Sequence, residues 1–266
     1  MLDLRTTVRV TLGSYVALHF AALLPWAVET FSNRGMLPDG GLSPLPNLLG
    51  LVDTPIVVLA VVALGSLAGL ALAVGARDRI AAAIALVVSA CLFGRNPLIA
   101  NPAMPYVGLL LFAWAASPAR AERRAWSPAV LRALWIAMAV GYSYSGITKL
   151  AAPSWVDGQA FHYVLTNPLA RDTIVRDLML TLPAWTLKAF TWGTLALEIG
   201  FAPLALCKRA RPWLWAAMLG MHLGLLVLID FADLTLGMVV LHVCTFDQSW
   251  VQRAPRRPRS GDLPTG

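Results

Sequence analysis

The stretch TPIVVLAVVALGSLAGLALAVG, residues 54–75, contains no charged side chain. A transmembrane helix needs about 20 consecutive, predominantly apolar residues, so this stretch predicts one membrane span. Across the chain of 266 residues, 58% are hydrophobic and only 13% are charged. Soluble domains average about 25% charged residues, which this chain does not approach. The composition therefore predicts a membrane protein that crosses the bilayer several times.

Seven other apolar segments flank this stretch, and together they predict an all-α, polytopic membrane helical bundle of about eight transmembrane helices. The predicted spans cover residues 8–30, 54–75, 79–94, 104–118, 129–150, 185–207, 212–230 and 232–247. The first has no cleavage-type small-residue site and is expected to be a retained helix. Because prolines stop helix propagation, we expect GRNPLIANPAMP (94–105) to be an irregular, partly membrane-embedded connection.

The basic residues predict an orientation for this bundle. If the N-terminus is cytoplasmic and the connections alternate, 15 of the 21 Lys and Arg residues fall inside and 6 outside. Cytoplasmic loops carry an excess of Lys and Arg, so this distribution favours eight spans, both termini in the cytoplasm and a bacterial-type inner membrane. The same clustering at segment ends disfavours a nucleic-acid partner. Residues 1–250 form the predicted transmembrane domain, and 251–266 form a basic, Pro-rich, disordered tail that contacts anionic lipid.

Two outer connections are too long to be simple turns. Residues 31–53 are rich in Gly and Pro and predict an ordered loop across the outer mouth of the bundle. In LARDTIVRDLMLTL (169–182), two Arg–Asp pairs lie largely opposite apolar residues. This pattern predicts a helix that lies in the membrane interface between spans five and six.

Charged residues at membrane depth are costly, about 2.5–3.5 kcal/mol on insertion scales, and therefore indicate function or a specific partner. GYSYSGITKLAAP (141–153) places Lys149 at the outer end of the fifth span. Tyr142, Ser145 and Lys149 follow one another at i, i+3 and i+7, so they share one helical face. An apolar pocket on that face would make a neutral lysine available as a base. The alternative is a lysine that snorkels to the lipid headgroups.

Glu198 and His222 lie inside consecutive antiparallel spans and are predicted at similar depth, where they would form a carboxylate–imidazole pair below Lys149. His19, midway along the first span, would extend that proton path. The structural alternative for each is a hydrogen bond or ion pair between helices. Asp230 and Asp233 flank the last outer turn, where turn chemistry and a helix N-cap explain both.

Several classes of enzyme are disfavoured by the motifs. The chain has no HExxH, no Gly-rich phosphate loop and no GxSxG, which disfavours zinc proteases, nucleotide-driven pumps and serine hydrolases. The three cysteines show no metal-type spacing, so no metal is expected. Most of the tryptophans lie near predicted interfaces, as an aromatic belt would, with Trp155 as the exception.

The segment YSYSGITKLAAPSWVDGQAFHYVL (142–165) resembles the signature of the vitamin K-dependent gamma-carboxylase superfamily, also called the horizontally transferred transmembrane (HTTM) family. That signature has a Gly–x–x–Lys element at the end of a span, followed by a Trp and by a Gly before a short helix. Weaker likeness continues through LEIGFAPLAL (197–206), MHLG (221–224) and NPAMPYVGLLLFAWAASP (101–118). DoxX-like membrane proteins share a similar Gly–x–x–Lys–Leu element.

This resemblance implies that Lys149 matches the lysine that deprotonates vitamin K hydroquinone on the lumenal side. It therefore implies a reduced quinone as cofactor and a carboxylase-like or epoxidase activity on a peptide or small-molecule substrate. The family's histidine beside an asparagine is missing, since Pro102 follows Asn101. The family's large lumenal domain is also missing from this chain. Both departures disfavour true peptide gamma-carboxylation.

The leading hypothesis is thus a quinone- or lipid-linked membrane enzyme with an outward-facing site. Its predicted catalytic residues are Lys149, Glu198 and His222, and its predicted binding residues are Tyr142, Tyr144, Ser145, Trp155, Asn101 and His19. The alternative is a non-catalytic, DoxX-like component that assists peptide maturation or export or a redox partner, with Lys149 as an ion-pair donor to Glu198. A small-molecule transporter is less favoured, because no inverted repeat relates the two halves.

Overall fold

The computed structural model describes residues 3–38, 48–117 and 125–251, and over these ranges the chain is built from α-helices with no β-strand. The predicted all-α class is confirmed there. In chain order the helices are α1 (Leu4–Leu23), α2 (Ala27–Phe31), α3 (Pro55–Val74), α4 (Asp78–Arg95), α5 (Met104–Ala116), α6 (Pro128–Lys149), α7 (Pro153–Val156), α8 (Ala160–Thr166), α9 (Ile174–Leu180), α10 (Ala184–Ala205), α11 (Arg211–Leu228) and α12 (Ala232–Thr245).

A helix lies in each of the eight predicted apolar segments. Four helical segments in the described part of the chain are long and apolar enough to cross a membrane, namely Leu4–Phe31, Pro55–Val74, Pro128–Lys149 and Arg211–Leu228. Two other apolar helices, α5 and α12, are shorter, with 13 and 14 residues. These helices are consistent with a membrane protein.

Local sequence sets the ends of the central helices. Thr54 precedes α3 as its N-cap residue, and Pro55 occupies the first turn, where a missing backbone N–H costs nothing. Gly75 ends α3 with a φ of 83°, a left-handed conformation that glycine adopts without strain. Helix α6 begins similarly, since the Ser127 hydroxyl accepts a hydrogen bond from the Val130 N–H.

Helices α1 and α3 pack backbone to backbone. A Cβ atom on Gly13 would lie 2.4 Å from the Ala73 nitrogen, and one on Gly69 would lie 2.3 Å from the Ala17 nitrogen. Small residues permit this approach, which is a common device where helices pack inside membranes. Helix α4 then packs against α3 and α5, and α12 contacts both α1 and α5.

Helices α6 and α10 form the second close contact, and it fixes the position of the site. Pro203 lies inside α10 and has no N–H to bond the carbonyl of Ile199, one turn earlier. The Ser143 hydroxyl of α6 lies 3.0 Å from that carbonyl oxygen and accepts a hydrogen bond from the Ala202 N–H. A Cβ atom on Gly146 would lie 2.7 Å from the Ile199 nitrogen, so the two helices touch there.

The connection between α4 and α5 is irregular, as the prolines indicate. It contains one 3₁₀ turn, Pro97–Ile99, and the side chain of Asn96 is fully buried. Asn96 donates a hydrogen bond to the carbonyl of Thr30. Arg95, also fully buried, forms an ion pair with Asp53. These contacts tie the α4–α5 connection to the segments before and after the predicted outer loop.

Three expectations for the loops have different outcomes. The helix predicted over 169–182 is shorter, because residues before α9 are extended and Ala170 pairs with Ile229 after α11. The Arg171 N–H donates to the Leu228 carbonyl and the Asp230 N–H donates to the Leu169 carbonyl, so the backbone at that end is bonded to the end of α11 instead of forming helix. The predicted outer loop lies partly outside the described residues, at 39–47, and so does the predicted tail from residue 252 onward.

Candidate functional site

A cavity of about 630 Å³ opens among α6, α10, α11 and α12, beside the short helices α7, α8 and α9. Its volume is in the range of small-molecule sites, about 300–1,000 Å³. Most of its wall is apolar, from residues such as Phe161, Phe190, Leu225 and Met238. A few polar side chains converge on it from different helices, namely Tyr106, Tyr142, Ser145, Lys149, Glu198 and His222.

Lys149 and Glu198 form an ion pair in this cavity. The Lys149 Nζ atom lies 2.5 Å from both carboxylate oxygens of Glu198. The Glu198 side chain is only 5% exposed, whereas that of Lys149 is 24% exposed. A carboxylate this deeply buried needs a partner, because an unpaired buried charge is strongly unfavourable. The Lys149–Glu198 ion pair that the non-catalytic alternative invokes is present in the structure.

Trp155 completes the surroundings of the lysine. Its ring lies below Lys149, with Nζ 4.6 Å from the ring centroid, which is within the range of a cation–π interaction. The chain makes this contact possible by ending α6 at Lys149 and starting α7 at Pro153. The ammonium group is thus in contact with both a carboxylate and an aromatic face.

Tyr142 and His222 form a second polar pair in the same cavity. The Tyr142 hydroxyl oxygen and the His222 Nε2 atom are 2.8 Å apart, and both side chains are 5% exposed. Tyr142 and Ser145 line the cavity together with Lys149, which agrees with their helical spacing. Because Glu198 is paired with Lys149 and His222 with Tyr142, the expected Glu198–His222 pair is not formed.

A separate polar cluster contains His19 and Asn101, two of the predicted binding residues. His19 Nδ1 lies 2.8 Å from Oδ1 of Asp233, and Asn101 donates to Oδ2 at 2.6 Å. The Tyr15 hydroxyl donates to Oδ1 at 3.0 Å. His19 therefore joins Asp233 rather than Glu198 and His222, and Asn101 joins the same cluster.

Asp233 corrects another expectation. Turn chemistry was expected to explain it, but its side chain makes no capping hydrogen bond at the start of α12 and instead joins three side chains from α1 and from the α4–α5 connection. The sequence feature that could have indicated this role is a carboxylate at the second residue of an apolar helix. Tyr144, by contrast, is 68% exposed and points away from the cavity walls described above.

Sequence reasoning also missed the role of several tryptophans. Trp114, Trp126 and Trp135 are buried rather than arranged as a belt. Their indole N–H groups donate to Asp78, to the Cys244 carbonyl and to the Thr245 carbonyl, respectively. No periodic pattern in the sequence distinguishes such a buried tryptophan from one at an interface.

Within the described residues there is no group of three or more His, Cys, Asp or Glu side chains placed to hold a metal ion. The cavity instead presents an ion pair, a tyrosine–histidine pair and an extensive apolar wall. This arrangement suits an apolar molecule with a few polar atoms. No protein-family model matches the chain, and neither a curated protein nor a solved structure matches it.

Proposed function

We propose that this protein is a membrane enzyme that binds a reduced quinone or a similar lipid-like molecule in the cavity and removes a proton from it. The observation that carries this proposal is the Lys149–Glu198 pair, which faces an apolar cavity of about 630 Å³. An apolar ring system would contact the wall, and its hydroxyl group would lie beside the pair.

The pair would act as a single proton acceptor. In the resting state an ammonium group lies against a carboxylate, so the pair is neutral as a whole. A hydroxyl proton that moves to Glu198 leaves a neutral carboxylic acid there, and the oxygen anion that forms on the bound molecule takes over as the partner of the Lys149 ammonium. Charge is thereby conserved in the cavity, which avoids the cost of an unpaired buried ion. The Tyr142–His222 pair would orient the bound molecule.

The resemblance to the gamma-carboxylase superfamily supports the same reading. It rests on the Gly146–Lys149 element, and here Gly146 lets α6 approach α10 closely enough for the pair to form. A carboxylase-like or epoxidase activity follows from that resemblance. Since Pro102 follows Asn101, the substrate would be a small molecule or a peptide other than the family's usual one.

We further propose that all eight apolar helices cross a bacterial inner membrane, with both termini in the cytoplasm and the cavity open to the outside. The excess of basic residues at one set of connections supports this orientation. Cys207, which is exposed after α10, tests it. A membrane-impermeant maleimide should label Cys207 only after the cells are opened, whereas a cysteine introduced at exposed Asn33 should react in intact cells. Labelling of Cys207 from outside would reverse the orientation.

The second candidate is a non-catalytic membrane component, and a specific contact favours it. The ion pair lies beside the place where Ser143 and Gly146 seat α6 on α10. In this reading the pair holds two helices together, and the cavity binds lipid or a partner segment.

The two candidates differ in what Glu198→Gln does. Purified protein in nanodiscs is incubated with a reduced naphthoquinone and oxygen, and the epoxide product is quantified by mass spectrometry. In the proposed mechanism Glu198 accepts the proton, so the product is lost in Glu198→Gln and in Lys149→Ala, which lacks the ammonium partner, while Lys188→Ala on α10 remains active. Full activity of Glu198→Gln excludes Glu198 as the proton acceptor, and no product from the wild type favours the non-catalytic candidate.

A further inference from the structure

Two histidine nitrogens in the core of the bundle lack partners. His222 is 5% exposed and His242 is fully buried. Nδ1 of His222 and Nε2 of His242 have no hydrogen-bond partner among the described residues. Buried polar atoms are nearly always paired, so two unpaired nitrogens on neighbouring rings indicate a bound group.

The other nitrogen of each imidazole ring is hydrogen-bonded. His242 Nδ1 lies 2.8 Å from the carbonyl oxygen of Met238, and a carbonyl only accepts, so this nitrogen carries the proton. The lone pair of His242 is therefore on the unpaired Nε2. His222 Nε2 lies 2.8 Å from the Tyr142 hydroxyl, and donation from Nε2 to that oxygen leaves the lone pair on Nδ1. A hydrogen-bonded second nitrogen is the usual environment of a metal-ligating histidine.

The distance between the rings fits one shared metal ion. Their centroids are 5.8 Å apart, and their planes are inclined by 58°. Metal–imidazole bonds are about 2 Å long, and a ring nitrogen lies about 1 Å from its ring centre, so two rings on one ion are separated by at most about 6 Å. No direct hydrogen bond between the two rings fills this gap.

The neighbouring side chains favour a soft ion of low charge. Each histidine follows a buried methionine by four positions, in Met218–His222 and in Met238–His242. Residues four apart share a helix face, so thioether groups accompany both imidazoles. Thioethers select Cu(I), and a monovalent ion loses less hydration energy on burial than a divalent one. The cavity, lined by His222 and Met238, gives an entry path.

We propose that His222 and His242 bind a soft monovalent metal ion of the Cu(I) type between Nδ1 of the first and Nε2 of the second. This site shares His222 and Tyr142 with the cavity but contains neither Lys149 nor Glu198, and its metal binding does not depend on the proposed proton transfer. Tyr142 and the Met238 carbonyl hold the two ligands in the binding tautomer, and Tyr142 thereby acts as a positioning residue.

Silver ion serves as the probe, because Ag(I) has the same charge and softness and does not change oxidation state. Since thiols bind it too, the experiment uses the full chain with the exposed Cys207 replaced by Ser. Detergent-purified protein is loaded with silver nitrate and desalted, and the retained silver is measured by mass spectrometry. We expect retention of a single histidine-dependent ion, lost in His222→Gln and in His242→Gln and unchanged in His162→Gln on α8.

Two further measurements keep the proposal testable if a histidine variant does not fold. Tyr142→Phe keeps both imidazoles but removes the hydroxyl that holds His222, and it should weaken silver binding about 10–100-fold, as the loss of a hydrogen-bond partner of a metal ligand does. X-ray absorption of the loaded wild type should show nitrogen neighbours. The proposal would be overturned if His242→Gln retained as much silver as the wild type, or if the silver had only sulfur neighbours. It would also be overturned if the wild type retained no silver, in which case a water molecule is the simplest partner for the two unpaired nitrogens.

Discussion

Lys149 Nζ lies 2.5 Å from both carboxylate oxygens of Glu198, although the two residues are 49 positions apart and belong to different helices. This contact changes the role that Lys149 can have in the cavity. A free lysine in an apolar cavity suggests a base on its own, whereas this lysine shares its charge with a carboxylate. In the proposed mechanism, Glu198 accepts the proton and the Lys149 ammonium balances the charge of the anion that forms.

The first prediction concerns the stability of this pair. Lys149→Ala leaves Glu198 buried without its partner, and breaking a buried pair costs about 3–5 kcal/mol, less here because the lysine is partly exposed. Adding Glu198→Leu should restore most of the loss, since no unpaired charge remains. Unfolding in mixed micelles followed by circular dichroism measures both changes. Lys188→Ala is the control, and equal losses in the single and double variants would contradict a buried-pair effect.

The second prediction tests the close contact of α6 with α10. A Cβ atom on Gly146 would lie 2.9 Å from the Glu198 Cβ atom and 2.7 Å from the Ile199 nitrogen. Gly146→Ala should therefore separate the helices and reduce the free energy of unfolding by about 1–3 kcal/mol, as overpacking does. Gly193→Ala on α10 is a matched control, because nothing lies within 4 Å of its added methyl group. Equal effects of the two substitutions would show that the helix contact is not tight.

The third prediction concerns the cluster around Asp233. Asp233→Asn keeps the size of the side chain but replaces one carboxylate oxygen by an NH2 group. The single oxygen that remains cannot accept hydrogen bonds from Tyr15, His19 and Asn101 together. We expect a loss of about 1 kcal/mol, the lower end of the range for a polar group that lacks a partner, because the Asp233 side chain is 35% exposed. Asp230→Asn is the comparison, because its side chain is 73% exposed. Thermal unfolding of both variants gives the answer, and a larger loss for Asp230→Asn would refute the assignment.

The fourth prediction concerns Arg95, whose guanidinium group is fully buried. Its Nη2 donates to the carbonyls of Ser32 and Leu37, and its Nε donates to Asp53. Lysine has a single charged nitrogen and cannot reproduce this fork of donors. Arg95→Lys should therefore release the segment after α2 and speed its cleavage in limited proteolysis.

The exposed Arg34 provides the control for that experiment. Arg34→Lys changes the same residue type on the surface of the same segment, so it should leave the rate of cleavage unchanged. Cleavage that is equally slow in the wild type and in Arg95→Lys would mean that the guanidinium group does not anchor the segment.

The sequence by itself determined the helical class and the positions of the long helices. Long apolar runs leave the backbone no other way to satisfy its hydrogen bonds, and Pro and Gly end those runs at defined residues such as Pro55 and Gly75. Helical periodicity likewise placed Tyr142, Ser145 and Lys149 on one face. These are local properties, since each depends on residues within a few turns of one helix.

The partners of the ionisable residues were decided only by the tertiary structure. Glu198 pairs with Lys149, His222 with Tyr142, and His19 with Asp233, and none of these pairs lies within one helix. Which helix faces which depends on where small residues such as Gly69 and Gly146 let two backbones touch. A buried charge then takes whichever opposite charge or hydrogen-bonding group that packing brings within reach, because leaving it unpaired inside the bundle costs several kcal/mol.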